Sequence, residues 1–578
     1  MTDLDDNAED ETGRQNLAAA RLSNFQPLLP AEAEVVAHLS SGNFDRLGDG
    51  SRPERPGPER VVRAAFLRFL LLGGEEGCRP HEKGIRIRGA WITEFLDLEA
   101  CRVERDIGLN NCHFEAAPVL RAAIINRLFL SGSSLPGLQA ERLEARGGVY
   151  LRGAKVSAGV VLAQSRLGGN LECDGMAIRA AQGYALDIEG IEVRSVLARN
   201  ATFDGGIDLS GARLQADFDC TGSTITGSDG LAIDASKIEN RGSVTFRGAE
   251  VNGELRLIAS HIEGDLDCTD TIFSNPGSVA LDMSRTIVKG AFFLAGKART
   301  DGVLAMTGAS IDTIHDSQSC WPKVGDLLLN RCLYSAFIDS PVDAESRLDW
   351  LARQTPKRWG EDFWPQPYER LAHVFLDMGH ADDARAVLVA KERLQRRARR
   401  ARARNPVWRA ILTVTDGILK VTVAYGRQPL LALVWLLLLW LVGVGVFWNA
   451  ERLGAFKPNS AVVLRSPEWT LCGIDVSQRQ FLTASQQVAS GRAQNGQTQL
   501  ACYHEQFEAS SYPEFNAWMY SLDALLPVLE LDQKAYWRPN PPKPGGRLAI
   551  AYFYIQSVLG WTLSLLAVAG FSGLVKSP

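Results

Sequence analysis

A short phrase of alternating apolar and polar positions recurs along the chain between residues 84 and 311. In each copy an alternating apolar pair is followed by a small residue and another apolar residue, as at 149–156, 207–214 and 244–251. Period-two segments of this length predict short strands joined by tight corners. The positions that we predict to face inward recur at eleven residues within each block, and they are Leu151, Leu162, Cys173, Leu209, Cys220, Phe246, Leu257 and Cys268.

Self-similarity at a fixed period predicts a solenoid, because one rung cannot bury its apolar face until a neighbouring rung stacks on it. We therefore predict a mainly β fold, a right-handed parallel β-helix, over residues 84–312. Two phrases per turn give roughly ten turns, and a strand spacing of about 4.8 Å gives a rod roughly 50 Å long. Turn-rich insertions interrupt the phrase at 179–185, 226–232 and 274–280.

Helical segments are predicted on both sides of the repeat. Residues 59–72 carry apolar residues along one helical side and are placed to cap the first rung, within a helical N-terminal cap at 31–83. After the repeat, residues 368–388 have the pattern of a helical hairpin in which Gly379 ends the first helix. The hairpin resembles a single tetratricopeptide unit, and we interpret residues 313–390 as a helical collar.

Two long runs without charge follow, at 429–448 and 549–575. At 1.5 Å per residue each is long enough to cross about 30 Å of hydrocarbon. We predict transmembrane helices at 429–449 and 547–575, in a multi-pass protein of a bacterial cytoplasmic membrane. A basic cluster precedes the first span, so the positive-inside rule places the preceding residues in the cytoplasm and the loop 450–546 outside.

Charge is informative locally rather than globally. A net charge of −5 over 578 residues gives no general argument for nucleic acid. The acidic, polar N-terminus, residues 1–30, is predicted to be a disordered tail. The segment 391–428 contains a basic run just before the first apolar span, a position that favours an anionic lipid surface, worth about 1 kcal/mol per charge, over nucleic acid. The arginines predicted to contact lipid are Arg396, Arg397, Arg399, Arg400, Arg402 and Arg404.

The ten cysteines divide into two groups. Eight precede the first span and lack the Cys-x-x-Cys or Cys/His spacing of metal ligands, so we expect reduced, buried thiols and no metal or other cofactor. The remaining two, Cys472 and Cys502, lie in the loop predicted to be outside the cytoplasm. An oxidising compartment makes them a candidate disulfide pair.

The segment 515–532 precedes the second span, and its order of apolar helix and acidic turn resembles the pore module of two-span cation channels. In that family a Thr-Val-Gly-Tyr-Gly filter follows the pore helix, because glycine permits the ring of carbonyl groups. Here residues 526–532 contain no glycine, which argues against a potassium-type carbonyl filter. Carboxylates in an oligomer could still attract cations, whereas the alternative is a re-entrant or interfacial structural helix. The pore-like candidates are Ser521, Asp523, Glu530 and Asp532.

Five phrases, at 62–68, 81–90, 366–372, 425–429 and 520–527, resemble a bacterial family of membrane-associated proteins with cytoplasmic pentapeptide-like or β-helical repeats. Members are often labelled membrane-associated oxidoreductases. This chain has no dinucleotide-binding or phosphate-loop glycine motif and no haem or iron–sulfur cysteine spacing. We therefore predict a non-enzymatic, membrane-anchored scaffold whose β-helix binds a protein partner. The alternatives are an oligomeric two-span ion channel or channel-like signalling protein and, third, an oxidoreductase.

Overall fold

The computed structural model describes residues 21–180, 183–403, 405–423, 430–473, 497–507, 509–526 and 528–571. The chain divides into two compact units, Met1–Lys391 and Glu392–Pro578, and each is considered separately. The expectation of a disordered tail at residues 1–20 and the predicted lipid contact of Arg404 lie outside the described residues.

The first unit is a parallel β-solenoid of about 11 turns, as the repeat predicts. One sheet of 21 strands contains Asp45–Arg46, Ile85–Arg88, Arg102–Val103, Ile107–Asn110, Ile124–Ile125, Leu128–Phe129, Glu144–Ala145, Val149–Tyr150, Arg166–Leu167, Leu171–Glu172, Glu192–Val193, Val196–Leu197, Arg213–Leu214, Phe218–Asp219, Glu239–Asn240, Val244–Thr245, His261–Ile262, Leu266–Asp267, Ile287–Leu294, Ser310–Asp316 and Leu333–Phe337. The second sheet, of 16 strands, contains Val61–Arg63, Trp91–Thr93, His113–Phe114, Ser134–Leu135, Leu138–Gln139, Lys155–Val156, Val160–Val161, Ala177–Arg179, Leu186–Asp187, Thr202–Asp204, Ile207–Asp208, Thr224–Asp234, Glu250–Arg256, Ile272–Asp282, Arg299–Ala305 and Leu327–Leu328.

The pairing register confirms that two phrases make one turn. Val149 pairs with Leu171, 22 residues later, and Val196 pairs with Phe218 at the same separation. Turns that contain an insertion are longer: Phe218 pairs with Val244, 26 residues later. Two insertions extend the strands Thr224–Asp234 and Ile272–Asp282, whose pairing shifts register where the extra residues protrude.

The solenoid core consists of apolar columns that run from rung to rung. Every inward position predicted from the eleven-residue period is fully buried. Corner hydroxyls form a second, polar column: Ser165 Oγ donates to the Ala140 carbonyl at 2.9 Å and accepts from the Leu143 N–H at 3.0 Å. Each such serine satisfies backbone groups of the preceding turn, where a buried unpaired group would cost free energy.

The solenoid begins earlier than the predicted residue 84. Val61–Arg63 pairs with Trp91–Thr93, so the predicted helix at 59–72 is a strand followed by a shorter helix, Ala64–Leu71. Helices α1 (Pro30–His38) and α2 (Ala64–Leu71) lie at this end. The last part of the predicted disordered tail is ordered, because the apolar ring of Phe25 is buried against two phenylalanine rings of α2.

The solenoid also continues past residue 312 to Phe337, because the phrase resumes after a short 3-10 turn. Helices α3 (Ala344–Ala352), α4 (Gln366–Asp377) and α5 (Ala381–Arg402) follow. Gly379, with φ 88°, lies between α4 and α5, and Lys391 of α5 pairs with Glu369 of α4 at 2.9 Å, so these two helices form a hairpin. Arg347 and Asp316 form a buried ion pair at this end, with N–O distances of 2.6 and 2.8 Å.

The second unit is helical. Its helices after α5 are α6 (Pro406–Val423), α7 (Leu430–Arg452), α8 (Ala461–Leu464), α9 (Pro467–Cys472), α10 (Gln499–His504), α11 (Ala517–Leu525), α12 (Gln533–Tyr536) and α13 (Gly546–Phe571). Strands Phe456–Pro458 and Trp537–Pro539 pair antiparallel. Helices α7 and α13 are each long and apolar enough to cross a membrane.

Candidate functional site

The short helix α11 is bonded to the middle of both long apolar helices. Ser521 Oγ donates to the Trp440 carbonyl of α7 at 2.9 Å. From α13, Gln556 Nε2 donates to the Ser521 carbonyl at 3.1 Å and lies 2.9 Å from the Ser521 hydroxyl. Both polar side chains are fully buried. The three helices therefore share one buried polar centre, which we call the Ser521 node (Ser521, Trp440 carbonyl and Gln556).

The node lies near mid-length of each long helix. Trp440 is the eleventh of 23 residues in α7, and Gln556 is the eleventh of 26 in α13. Ala432, near the start of α7, contacts Ala567, near the end of α13, so the two helices run antiparallel. At 1.5 Å per residue the node lies about 15 Å from the first residue of either helix, which is half of the roughly 30 Å thickness of the hydrocarbon core of a bilayer.

Two glycines permit this close approach. A Cβ atom at Gly443 of α7 would lie 2.3 Å from Ser521 Oγ and 2.8 Å from the Gln556 side chain. A Cβ atom at Gly560 of α13 would lie only 1.9 Å from the Leu525 carbonyl oxygen at the end of α11. Small residues at such contacts let helices approach where apolar burial gives no driving force. Sequence reasoning missed both glycines, although a glycine inside an apolar span is a recognisable signal.

After α11 the chain turns back alongside the same helix. Asp523, 1% exposed, accepts the backbone N–H groups of Leu531 at 3.3 Å and Lys534 at 2.9 Å. Its carboxylate also pairs with the Lys534 ammonium at 3.1 Å. Near the start of α11, Gln533 Oε1 accepts the Asn516 N–H at 3.1 Å. Residues 516–533 therefore form a helix-and-return hairpin, which we call the inter-helix hairpin.

The structure divides the four pore-like candidates into two pairs. Ser521 and Asp523 are buried and serve as hydrogen-bonding partners inside the hairpin. Glu530 and Asp532 lie on the returning segment, and both are exposed. Val528, on the same segment, is 88% exposed. The outward surface of the returning segment therefore combines two carboxylates with an uncovered apolar side chain.

An aromatic cluster and a disulfide lie around the open end of the inter-helix hairpin, where α11 begins and the returning segment ends. Phe447 of α7 contacts Tyr520 of α11 at a ring-centroid distance of 4.8 Å, and Trp537 is fully buried in the same cluster. Cys472 and Cys502, the predicted pair, are joined by a disulfide, which links α9 to α10. These contacts position the segments that enter and leave the inter-helix hairpin.

The arginines of the basic run differ in their contacts, because some form ion pairs and others are exposed. Arg396 pairs with Asp416 of α6 at 2.9 Å, and Arg400 approaches the same carboxylate at 3.5 Å. Arg397 and Arg399 are both exposed on α5. Asp416 was not predicted to matter, because its link to the run depends on how α5 and α6 fold together.

The solenoid carries charge on a ladder face. The paired residues Glu144, Arg166, Glu192, Arg213 and Glu239 stack in one outward row along successive turns. Neighbours in this row form ion pairs at 3.4 Å, such as Arg166–Glu192 and Arg213–Glu239. A cleft of about 490 Å³ lies over part of the row.

The solenoid cysteines are enclosed. Burial raises the pKa of the Cys173, Cys220 and Cys268 thiols and raises the pKa of Cys112 to about 12. Thiols of this kind stay protonated and are poor nucleophiles. Within the residues that the structure describes, no group of three or more histidine, cysteine, aspartate or glutamate side chains is placed to hold a metal ion.

Comparisons with models of protein families, with curated proteins and with solved structures found no match to this chain.

Proposed function

We propose that several copies of this chain assemble in a membrane around their inter-helix hairpins and form a cation-conducting pore. In this proposal α7 and α13 span a bacterial cytoplasmic membrane, the basic run and the solenoid are cytoplasmic, and the region between the spans is outside. The returning segments line the lumen, with Glu530 and Asp532 as an acidic ring. The pentapeptide-like family suggested by the sequence is compatible with this layout.

The observation that carries the proposal is the exposure of Glu530 close to the Ser521 node. The next residue, Leu531, bonds through its N–H to Asp523, which is two residues from Ser521 on α11. Glu530 therefore lies within about one helical turn, roughly 5 Å, of the level of the Ser521 node. A charged side chain at the bilayer centre costs about 2.5–3.5 kcal/mol on insertion scales, so such residues face a protein interior or water.

A water-filled lumen between copies removes this cost. Non-helical backbone at membrane depth is tolerated only where protein covers it or where it lines an aqueous cavity. The returning segment is non-helical over Leu526–Leu531 in its described residues and exposes Val528. Neighbouring copies would cover the apolar side chain, and the carboxylates would enrich cations at the constriction.

The proposal is tested by ion flux through the purified full-length chain in planar bilayers. We expect cation-selective currents that Glu530→Gln lowers several-fold, because removing a ring of charge reduces local cation enrichment. The matched control is Glu505→Gln, which removes the same charge from an exposed residue in the region between the spans. Conductance of the control should equal that of the unmodified chain.

Two results would reject the pore. The first is an absence of current across several voltages and lipid compositions, with the protein shown to be inserted. The second is an equal reduction by Glu530→Gln and Glu505→Gln, which would place the effect in the general surface charge rather than at the constriction.

A membrane-anchored scaffold is the second candidate, and the charged ladder face favours it. The row from Glu144 to Glu239 displays alternating charges on a regular lattice, which suits recognition of a protein surface of complementary pattern. This function requires no current and no assembly around the hairpin. It is also compatible with a pore, because the solenoid and the membrane helices belong to separate units.

A further inference from the structure

We propose that the cleft between α5 and α6 binds the phosphate of an anionic phospholipid headgroup as a discrete site. The cleft has a volume of about 280 Å³, and its lining residues are Arg397, Arg400, Ala401, Arg409 and Thr413. We call it the arginine cleft. The inference does not depend on ion conduction.

Three guanidinium groups from two helices meet at the arginine cleft. Arg397 and Arg400 come from α5, whereas Arg409 comes from α6, outside the run that the sequence singled out. Planar guanidinium groups match phosphate oxygens with paired N–H donors. One Arg409 N–H donates to the Ala403 carbonyl at 2.8 Å, which holds its side chain back across the turn between the helices.

The cleft keeps a surplus of positive charge after internal pairing. Asp416 is shared by Arg396 and Arg400 at 2.9 and 3.5 Å. Arg396 also approaches Glu392 at 3.4 Å. The lining arginines Arg397, Arg400 and Arg409 supply three positive charges, and the shared Asp416 carboxylate offsets at most one of them. An anionic group therefore fits the cleft by charge.

Helix α6 supplies the argument for a lipid rather than a soluble anion. At 100° per residue, Arg409, Thr413 and Asp416 share one side of α6, and the opposite side is apolar. That apolar side is uncovered: Val407 is 65% and Val414 is 61% exposed. An exposed apolar stripe opposite a polar face is typical of a helix lying in the membrane interface, where phosphates are at the level of the polar side.

The end of α6 is also tied to the first apolar span. Trp435 Nε1 of α7 donates to the Val421 carbonyl of α6 at 3.0 Å. Trp408 and Ile411 belong to the same exposed apolar surface as Val407 and Val414, in the first half of α6. A helix anchored in this way to a membrane-crossing helix has its apolar stripe available to acyl chains, and the arginine cleft on its polar side is available to headgroups.

The experiment measures lipid binding to the purified full-length chain in neutral detergent by native mass spectrometry. The probes are phosphatidylglycerol, phosphatidylcholine and inorganic phosphate. We expect phosphatidylglycerol to bind more tightly than phosphatidylcholine, and Arg409→Gln to weaken it about tenfold, the loss expected for one charge-assisted hydrogen bond to a phosphate oxygen. The matched control is Arg399→Gln, which removes one exposed charge from the side of α5 turned away from Arg397; its affinity should change less than twofold.

Arg409→Lys distinguishes loss of the site from loss of the fold. It keeps the charge but loses the paired N–H donors of the guanidinium group, so phosphatidylglycerol affinity should lie between that of the unmodified chain and that of Arg409→Gln. Equal weakening by Arg409→Gln and Arg399→Gln would overturn the proposal in favour of a diffuse electrostatic contact. Saturable binding of inorganic phosphate with the same Arg409 dependence, with no preference for phosphatidylglycerol, would assign the cleft to a soluble anion and also overturn it.

Discussion

Removing Asp316 should open the C-terminal end of the solenoid without affecting distant turns. Its carboxylate accepts two bonds from Arg347, at 2.6 and 2.8 Å, and one from Trp321 Nε1 at 2.7 Å. The Arg347 side chain is fully buried and lies 3.6 Å from the centre of the Phe337 ring. Asp316→Ala therefore leaves a buried cation without its counter-ion, which costs about 3–5 kcal/mol.

The Arg347–Asp316 pair also predicts how the effects of the two single substitutions on stability combine in the double variant. Arg347→Met alone leaves the Asp316 carboxylate buried without its cation, which is costly for the same reason. The double variant Arg347→Met/Asp316→Ala leaves neither charge, and replacing both charges with apolar groups is often neutral. We therefore expect the double variant to be more stable than either single variant, rather than less stable by their sum.

Hydrogen exchange measured by mass spectrometry resolves the effect turn by turn. A loss of 3–5 kcal/mol corresponds to about 10²–10⁴-fold less protection of the strands Ser310–Asp316 and Leu333–Phe337. Strands near Val149 should keep their protection, because each turn of a solenoid interacts with its neighbours only. Asp301→Asn is the control: its partner Lys323 is 68% exposed, so the loss of protection should be far smaller than for Asp316→Ala. Equal losses for Asp316→Ala and Asp301→Asn, or additive costs in the double variant, would refute this reasoning.

Two further outcomes are expected in the same assay. Leu257→Ala should cost about 2–5 kcal/mol in the surrounding turns, because it opens a cavity at a fully buried position; a loss under 1 kcal/mol would contradict the inward assignment. Burial raises the pKa of Asp45 from 3.8 to about 6. The folded state therefore holds this proton more tightly, and its stabilisation is complete below pH 3.8 and lost as pH rises through 6. Asp45→Asn should abolish that dependence around Ile87, its strand partner.

The solenoid could be predicted because its signal is local and repeated. Each inward residue, such as Leu257 or Cys268, is marked by its own neighbours and by the next copy of the phrase. The ends were harder to place, since Val61–Arg63 pairs with a strand 30 residues away and precedes a helix with similar apolar content. The phase is also lost at the 3-10 turn Gln318–Cys320, although the last turns of the solenoid follow it.

Outward positions show a second limit of the repeat pattern. In the period-two pattern Arg256 is an outward position next to the inward Leu257. In the structure Arg256 lies between Asp234 and Asp282 on adjacent strands. It also pairs with Glu254 at 2.9 Å. An aspartate there would stack three carboxylates at about 4.8 Å, which is unfavourable for like charges that face each other.

The inter-helix hairpin is predictable in outline only. Its helix and acidic turn follow from the local pattern at 515–532, as does the absence of a glycine filter. The roles of its residues depend on partners far along the chain: Ser521 meets the Trp440 carbonyl, 81 residues away, and Gln556, 35 residues away. The pairing of Asp523 with Lys534 is likewise a product of the return path, so sequence alone grouped Asp523 with Glu530 as one kind of candidate.

The different roles of these polar residues can be explained by the environment of helices in a membrane. In the membrane setting that we propose, lipid is as apolar as leucine, so burying apolar area would not draw α7, α11 and α13 together. Close approach at Gly443 and hydrogen bonds at the Ser521 node supply the missing specificity. Those bonds and the Asp523–Lys534 pair hold the hairpin, whereas the side chains of Glu530 and Asp532 are exposed. In the proposed pore these two exposed carboxylates face the aqueous lumen, which would remove the cost of placing charge at mid-membrane depth.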